Sequence, residues 1–405
     1  MSRYIYALGG GIVTIAILLP LLYLFQTGAF SFLSFDKDVY TDLSTNGFGE
    51  LLSDEESFAE ASRSILEEEA TGFGGGGVMS DAKEIAPYPY ISKAYAYHYE
   101  GSYPLSDLSN KVYRQVTEDL SLYSLEAQIK KTTIGNFSFS YLDQPKIQNI
   151  MVSEDKENGY SLQVDALYGT VYLTRNWQSW DESDVHEAMT LDQIPANEEI
   201  IMVAQTFLQE YGIDISSYGN PVVQDEWFNF ASGVDGYIPE IIGVVYPRVI
   251  EGVEVWDLYG SPTGLLVYVN VRTGTIDSAN WSIGHSFERS SYDLVSELDE
   301  VSSLIEQGGL YQYQYEFADV TYDITLSEPT FVLAQYTQYK GNEFSTLYLP
   351  ALAFPISEKP EGAEIFSDHV VVPLVKEFLS ESGNDRYPIL LEEGVREVDV
   401  PVISP

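Results

Sequence analysis

Two rows of tyrosines carry the most distinctive candidate chemistry in the chain. Tyr95, Tyr97 and Tyr99 alternate with Ala96 and His98, and Tyr311, Tyr313 and Tyr315, continued by Phe317, alternate with Gln312, Gln314 and Glu316. Successive side chains of a strand point to opposite faces, so each row lines one face. Exposed, such a row would stack on sugar rings or anchor a protein partner, because tyrosine joins apolar area to a polar tip. Buried between sheet and helix, it is ordinary packing of strand-forming residues. These six tyrosines are the possible interaction surface, and burial separates the two readings.

Other spacings offer less. Gly72-x-Gly74-x-x-Gly77 formally matches the dinucleotide fingerprint, but it follows Glu67-Glu68-Glu69, whose charge would repel a pyrophosphate. No nucleotide is expected. His186-Glu187 opens like a zinc-peptidase helix, yet position 190 is Thr190, so two imidazoles cannot share a helical face there. The remaining histidines, His98, His285 and His369, are dispersed. Asp155-Lys156-Glu157-Asn158-Gly159 begins like a calcium loop but lacks the later ligands and the terminal bidentate glutamate, so a polar hairpin turn is expected. Nothing resembles a Gly-x-Ser-x-Gly elbow. No catalytic residue, cofactor or metal is expected.

The composition limits the partners. The chain has 405 residues, with 20 Lys+Arg against 62 Asp+Glu and a formal net charge of −42. Nucleic acid and anionic membrane surfaces are excluded as charge-driven partners, since both require a Lys/Arg patch. The absence of cysteine removes disulfides, thiolate metal sites and a cysteine nucleophile together. With 45% hydrophobic residues, two or three domains can each bury a core. So many carboxylates also make any pair of them uninformative as a glycosidase signature.

The elements that must position these groups follow an apolar start. Arg3 is the only charged residue before Asp36, and residues 5–25 are almost wholly apolar. At about 1.5 Å per residue they span roughly 32 Å, enough to cross a bilayer. The lone Arg3 puts the amino terminus inside and the rest of the chain outside, in the cell envelope. A signal peptide cleaved near Ala29 is the alternative, and it exports the chain equally. The expected division is a transmembrane anchor at 1–30, an acidic and Gly-rich stalk at 31–86, and three α+β units at 87–190, 191–286 and 287–405. In the stalk, Leu51, Phe58 and Ile65 recur every seven residues and could form a self-association seam.

Beyond residue 87, short Tyr/Val/Ile/Thr-rich runs are separated by Gly, Asn, Asp and Pro. Strands are expected at 137–141, 147–152, 160–167 and 170–175, with turns at Glu157-Asn158-Gly159 and Gly169. Helices are expected at 197–211, capped by Asn197 and ended by Gly212, at 291–307, ended by Gly308, and more weakly at 119–131. The fold class is α+β: an N-terminal transmembrane helix, then predominantly antiparallel sheets with a few packed helices.

The second unit carries a resemblance. Its helix Glu199-Ile-Ile-Met-Val-Ala-Gln-Thr-Phe-Leu208, its strand pair Val245-Tyr-Pro-Arg-Val-Ile-Glu-Gly-Val-Glu-Val255 and its closing hairpin Leu266-Val-Tyr-Val-Asn-Val-Arg-Thr-Gly-Thr-Ile276 resemble PepSY and FTP-like propeptide domains. Tyr348-Leu-Pro-Ala-Leu-Ala-Phe354 is similar to strands of membrane-anchored YpeB-like and YycI-like envelope proteins. The resemblance implies helix-plus-sheet units and a non-catalytic extracytoplasmic module that contacts or restrains another protein. Where the commoner hairpin has aspartate, this chain has Asn270, so no acidic functional residue carries over. The expected function is therefore protein–protein interaction or regulation at the envelope, with an envelope protein and the bilayer as partners. A surface glycan-binding or glycan-processing protein and a self-associating structural component are the alternatives.

Overall fold

A computed structural model of the chain describes residues 39–51, 93–117, 133–134, 137–138, 148–166, 168–180, 189–225, 238–282, 285–310, 318–340, 343–360, 362–363, 365 and 367–380. The apolar segment 5–25, the glycine-rich segment 71–78, the expected helix 119–131 and the second tyrosine row, Tyr311, Tyr313 and Tyr315, lie outside these residues. Among the described residues, no helix is long and apolar enough to cross a membrane.

The described chain is mixed α+β, mostly strands with few helices. The first ten strands are β1 Val39–Asp42, β2 Lys93–His98, β3 Lys111–Thr117, β4 Thr133–Ile134, β5 Phe137–Ser138, β6 Asn149–Ser153, β7 Tyr160–Asp165, β8 Thr170–Arg175, β9 Val222–Val223 and β10 Ile241–Pro247. The rest are β11 Val249–Ile250, β12 Val253–Asp257, β13 Gly264–Asn270, β14 Thr275–Ser282, β15 His285–Ser291, β16 Val320–Leu326, β17 Thr330–Lys340, β18 Glu343–Glu358 and β19 His369–Pro373. The helices are α1 Asn197–Glu210, α2 Ser302–Gln307 and α3 Lys376–Ser380.

One seven-stranded sheet has the order β6-β7-β8-β14-β13-β10-β9. Its core side is set by alternation: Val267, Val269 and Val271 are buried, as are Ile242, Val244 and Tyr246 of β10, which pair with Val269, Val267 and Leu265. Helix α1 lays Ile200, Ala204, Phe207 and Leu208 on that face, the stripe its 3.6-residue period predicts. Asn197 is the first helical residue rather than the cap, which is Ala196 with no side-chain hydrogen bond. Glu198 and Glu199 still face the positive end of the helix dipole. In the β13–β14 hairpin, Gly274 takes φ +65°, and Asn270 Oδ1 accepts from the backbone N–H of Arg272 at 3.1 Å and of Thr273 at 3.0 Å. Asparagine at this position thus closes the turn without any need for an acid. Asp155–Gly159 is likewise a turn, with Asn158 at φ 53°.

The second sheet has ten strands, with the path β1-β15-β3-β18-β17-β12-β11 and with β16, β2 and β19 joined to it off that path. Its hub is β18. Leu347, Tyr348, Leu349, Ala351, Leu352, Ala353 and Phe354 are all at most 3% exposed, which is why the run is continuously apolar and not alternating. Leu347 and Leu349 join one apolar cluster while Leu352 and Phe354 join another. Most pairings are antiparallel, but β1 with β15, β12 with β17 and β16 with β2 run parallel.

Strand pairing crosses the boundaries expected from the sequence. The seven-stranded sheet combines β6–β8 with β9, β10, β13 and β14, while β2, β3, β11 and β12 pair into the other sheet. The expected stalk also loses its beginning: Arg289 grips Asp42 at 2.7 Å, Gly47 N–H donates to Ser290 Oγ at 2.8 Å, and Phe48 and Leu51 enter a cluster with Val112, Tyr292 and Leu347. Leu51 is 0% exposed, so it is not available to a self-association seam. The helix expected over 291–307 shortens to a 3₁₀ turn, Leu298–Val301, followed by α2, because Ser291 closes β15 and Val295 N–H bonds Leu374 O at 2.9 Å. Gly308 ends α2 at φ 84°, as its position suggests.

Candidate functional site

Burial disposes of the first tyrosine row as a platform. Strand β2 pairs in parallel with β16, aligning Tyr97 with Ile324 and Tyr95 with Tyr322. Tyr95 is 9% and Tyr97 2% exposed, in one cluster with Ile305, Leu352 and Phe354. Tyr95 stacks on Tyr322 with ring centroids 5.8 Å apart, and the half-buried Tyr99 meets Phe354 edge-on at 5.1 Å. Burial pushes the Tyr97 phenol up to about 12. These side chains hold β2 against the hub strand and present no ring face to a sugar.

The histidines do not converge either. His98 lies on the exposed side of β2, 3.2 Å from Asp323, while His369 is packed edge-on against Trp256 with centroids 4.6 Å apart. His186 and the side chain of His285 are outside the described residues. Burial lowers the His369 pKa from its ordinary 6.5. The unfolded chain therefore takes up a proton that the native imidazole refuses, so stability falls as pH drops from 6.5 toward the folded value. Comparing urea-unfolding midpoints at about pH 7.5 and about pH 5.5, His369→Gln should lose less on acidification than the parent. An identical drop in both would show that His369 carries none of it.

What the structure does assemble is a cleft of about 960 Å³ where the two sheets meet. One wall comes from the ten-stranded sheet, through Arg114, Gln115, Glu288, Gln335, Lys340 and Ser345. The other comes from the seven-stranded side, through Tyr168, Thr170, Tyr218, Arg248, Thr263 and Ser282. The aromatic rings of Tyr168 and Phe344 touch across the walls at 5.4 Å. Three cationic side chains face one carboxylate here, in a chain whose overall balance is −42. Arg114 Nε donates to Glu288 Oε2 at 2.9 Å and its guanidinium lies 4.8 Å above the Phe48 ring. The Arg248 guanidinium sits 5.1 Å over Phe287, and Lys340 Nζ donates to Glu50 O at 2.6 Å.

Donors dominate the lining. Tyr348 Oη donates to Gln115 Oε1 at 2.6 Å and Thr263 Oγ1 to Gln335 Oε1 at 3.1 Å, so each amide oxygen is engaged and the NH₂ group is what the side chain has left to offer. The sequence does hold a signal for these residues, though composition hides it. Arg114, Arg248 and Lys340 stand inside strand-like runs, Val-Tyr-Arg-Gln-Val, Tyr-Pro-Arg-Val-Ile and Thr-Gln-Tyr-Lys, where a basic residue is out of place unless one face is polar. Among the described residues, no group of three or more His, Cys, Asp or Glu side chains could hold a metal ion.

No family model and no curated protein matches the chain. Among solved structures it is similar to the Bacillus megaterium YpeB C-terminal domain, with 10% sequence identity over 64% of this chain and 99% of that one. The TM-score of that likeness is 0.22, too low to assign a fold, and the architecture rests on the strand pairing alone.

Proposed function

We propose that this chain is a non-catalytic protein-binding module, anchored by residues 5–25 and acting in protein–protein interaction or regulation outside the cytoplasm. The observation that carries the proposal is the donor-rich cleft between the two sheets, which offers guanidinium, ammonium and amide donors to an acceptor-bearing chain. The glycan reading asked for exposed coplanar tyrosines, and the described row is spent on packing. The test is affinity capture of the intact membrane protein after crosslinking on cells. One envelope protein recovered reproducibly is the expected result, and recovery of cell-wall glycan alone would overturn it.

A further inference from the structure

The seven-stranded sheet ends on β6, and that edge lacks the protections its counterparts carry. Among the described strands with one sheet neighbour, β4, β5, β9 and β11 are two residues long, β1 carries Asp42, β2 carries Lys93, and β19 ends in Pro373. Short length, charge and proline each discourage pairing with a further strand. Strand β6, Asn149-Ile150-Met151-Val152-Ser153, has five residues, no charge, no proline and an unbroken register with β7. Met151 at its centre is 69% exposed. The charges that follow, Glu154 and Lys156, pair with each other at 3.0 Å.

The hydrogen bonds to β7 fix which backbone groups the edge offers. Ala166 N–H donates to Gln148 O and Glu154 N–H to Tyr160 O, each at 2.8 Å, so the even-numbered residues between them face β7. The N–H and C=O groups of Asn149, Met151 and Ser153 then point to the open edge. A second copy laid antiparallel about Met151 pairs Met151 with its own counterpart and Asn149 with Ser153, so that outward-facing residues meet outward-facing ones, as such a ladder requires. Roughly six backbone hydrogen bonds would form. The same register sets Ile150 opposite Val152 on the face that carries Val164 and Val171, so these half-buried side chains extend that apolar cluster across the pair. Two chains of net charge −42 repel wherever their acidic surfaces meet, and an uncharged edge is where they can approach. We infer that β6 pairs with β6 of a second copy of this chain, joining two seven-stranded sheets into one across a twofold axis at Met151.

Self-pairing here rests on the anchoring proposed above: a pairing this short buries less than the ~800 Å² per partner of a stable soluble complex, so confinement in one membrane must supply the effective concentration. The chain has no cysteine, so single substitutions report on the pair when the full chain, in membranes of cells expressing it, is oxidised with copper phenanthroline. Met151→Cys should form a disulfide dimer, whereas Met202→Cys, also exposed but on α1, should not. Asn149→Cys alone and Ser153→Cys alone should stay monomeric, because like positions lie about 14 Å apart across the axis, yet the two co-expressed should crosslink. All four positions are exposed, so the substitutions spare the core. Adding Met151→Lys to both co-expressed chains sets like charges opposite each other and should abolish that crosslink. Equal crosslinking by Met202→Cys or by Asn149→Cys alone overturns the inference, as does a crosslink that survives Met151→Lys. A Met151→Cys product of other than twice the chain mass overturns it in favour of a different protein at this edge. If Met151→Cys stays monomeric while cellular capture still yields one envelope protein, self-pairing fails and the protein-binding reading stands.

Discussion

Replacing Phe354 by alanine is expected to lower the free energy of unfolding by about 3–5 kcal/mol, the range for deleting a fully enclosed phenyl group. Phe354 is 0% exposed on the hub strand, where it opposes Val370 of β19 and touches Tyr99 edge-on. Its cluster also contains Tyr95, Tyr97, Ile324 and Leu352, so the void would open where β2, β16, β18 and β19 meet. Those rings cannot all follow one another into the space, because Tyr97 and Ile324 are fixed by their strand register. Domains are stable by only about 5–15 kcal/mol, so the variant should show a clear fall in its urea midpoint. Tyr99→Ala, at a half-buried ring, should cost less, and the double variant should reveal a coupling of about 0.5–1.5 kcal/mol. A Phe354→Ala loss under about 1 kcal/mol would show that this part of the core collapses freely, contrary to its close packing.

The parts of the fold that were legible are those whose signal is local. Helix α1 was visible because Ile200, Ala204, Phe207 and Leu208 fall on one stripe. The β13–β14 hairpin was visible because Val267, Val269 and Val271 alternate up to Gly274. The pairing of distant strands has no such signature. Val39–Asp42 looks like acidic linker until Arg289 and Ser290 are brought to it, and nothing in the chain around residue 250 announces that β12 will run parallel to β17. Residues 291–307 misled for the opposite reason: the apolar period was present, but its first part was claimed by a backbone bond to β19's neighbour Leu374.

The candidate site was illegible for a related reason. Alternating tyrosines promise a surface only if the face they line is left open, and in β2 that face meets Phe354 and Ile324. The cleft, by contrast, draws Arg114, Arg248 and Lys340 from three separate strand regions. Each is one of only 20 Lys+Arg, and none stands in a basic cluster along the sequence. Their convergence is a property of sheet order. A whole-chain charge of −42 points away from anion binding, while the local lining is cationic, and it is the local field that a bound segment feels.

Gly260→Ala should be strongly destabilising, because the added methyl group meets both a left-handed backbone and a paired strand. Gly260 lies in the turn between β12, which belongs to the ten-stranded sheet, and β13, which belongs to the seven-stranded one, so the chain changes sheets there. The turn is tied by Asp257 Oδ1, which accepts from Tyr259 N–H and Ser261 N–H at 2.9 Å each, and it is docked on the segment leading into β19 through Ser367 Oγ donating to Gly260 O at 3.1 Å. Gly260 adopts φ +97°, and an added Cβ would stand 2.1 Å from His369 O and 2.3 Å from Ser367 Oγ. The backbone conformation alone should cost a non-glycine residue about 1–3 kcal/mol. Driving a methyl into a carbonyl of β19 adds a further 1–3 kcal/mol or so, because the strand is paired and cannot retreat freely. Gly274→Ala is the control: it has φ +65° with nothing within 4 Å of the added Cβ, so it should show only the backbone cost, about 1–2 kcal/mol. Urea midpoints of the two variants separate the contributions. The turn also leads directly into Thr263 and Gly264 at the cleft, so Gly260→Ala should speed amide exchange at residues 263–264 as well, whereas Gly274→Ala should leave exchange there unchanged. Equal losses of stability from both would mean that the turn is free to lift off β19, and that the crossing between sheets does not fix the shape of the cleft.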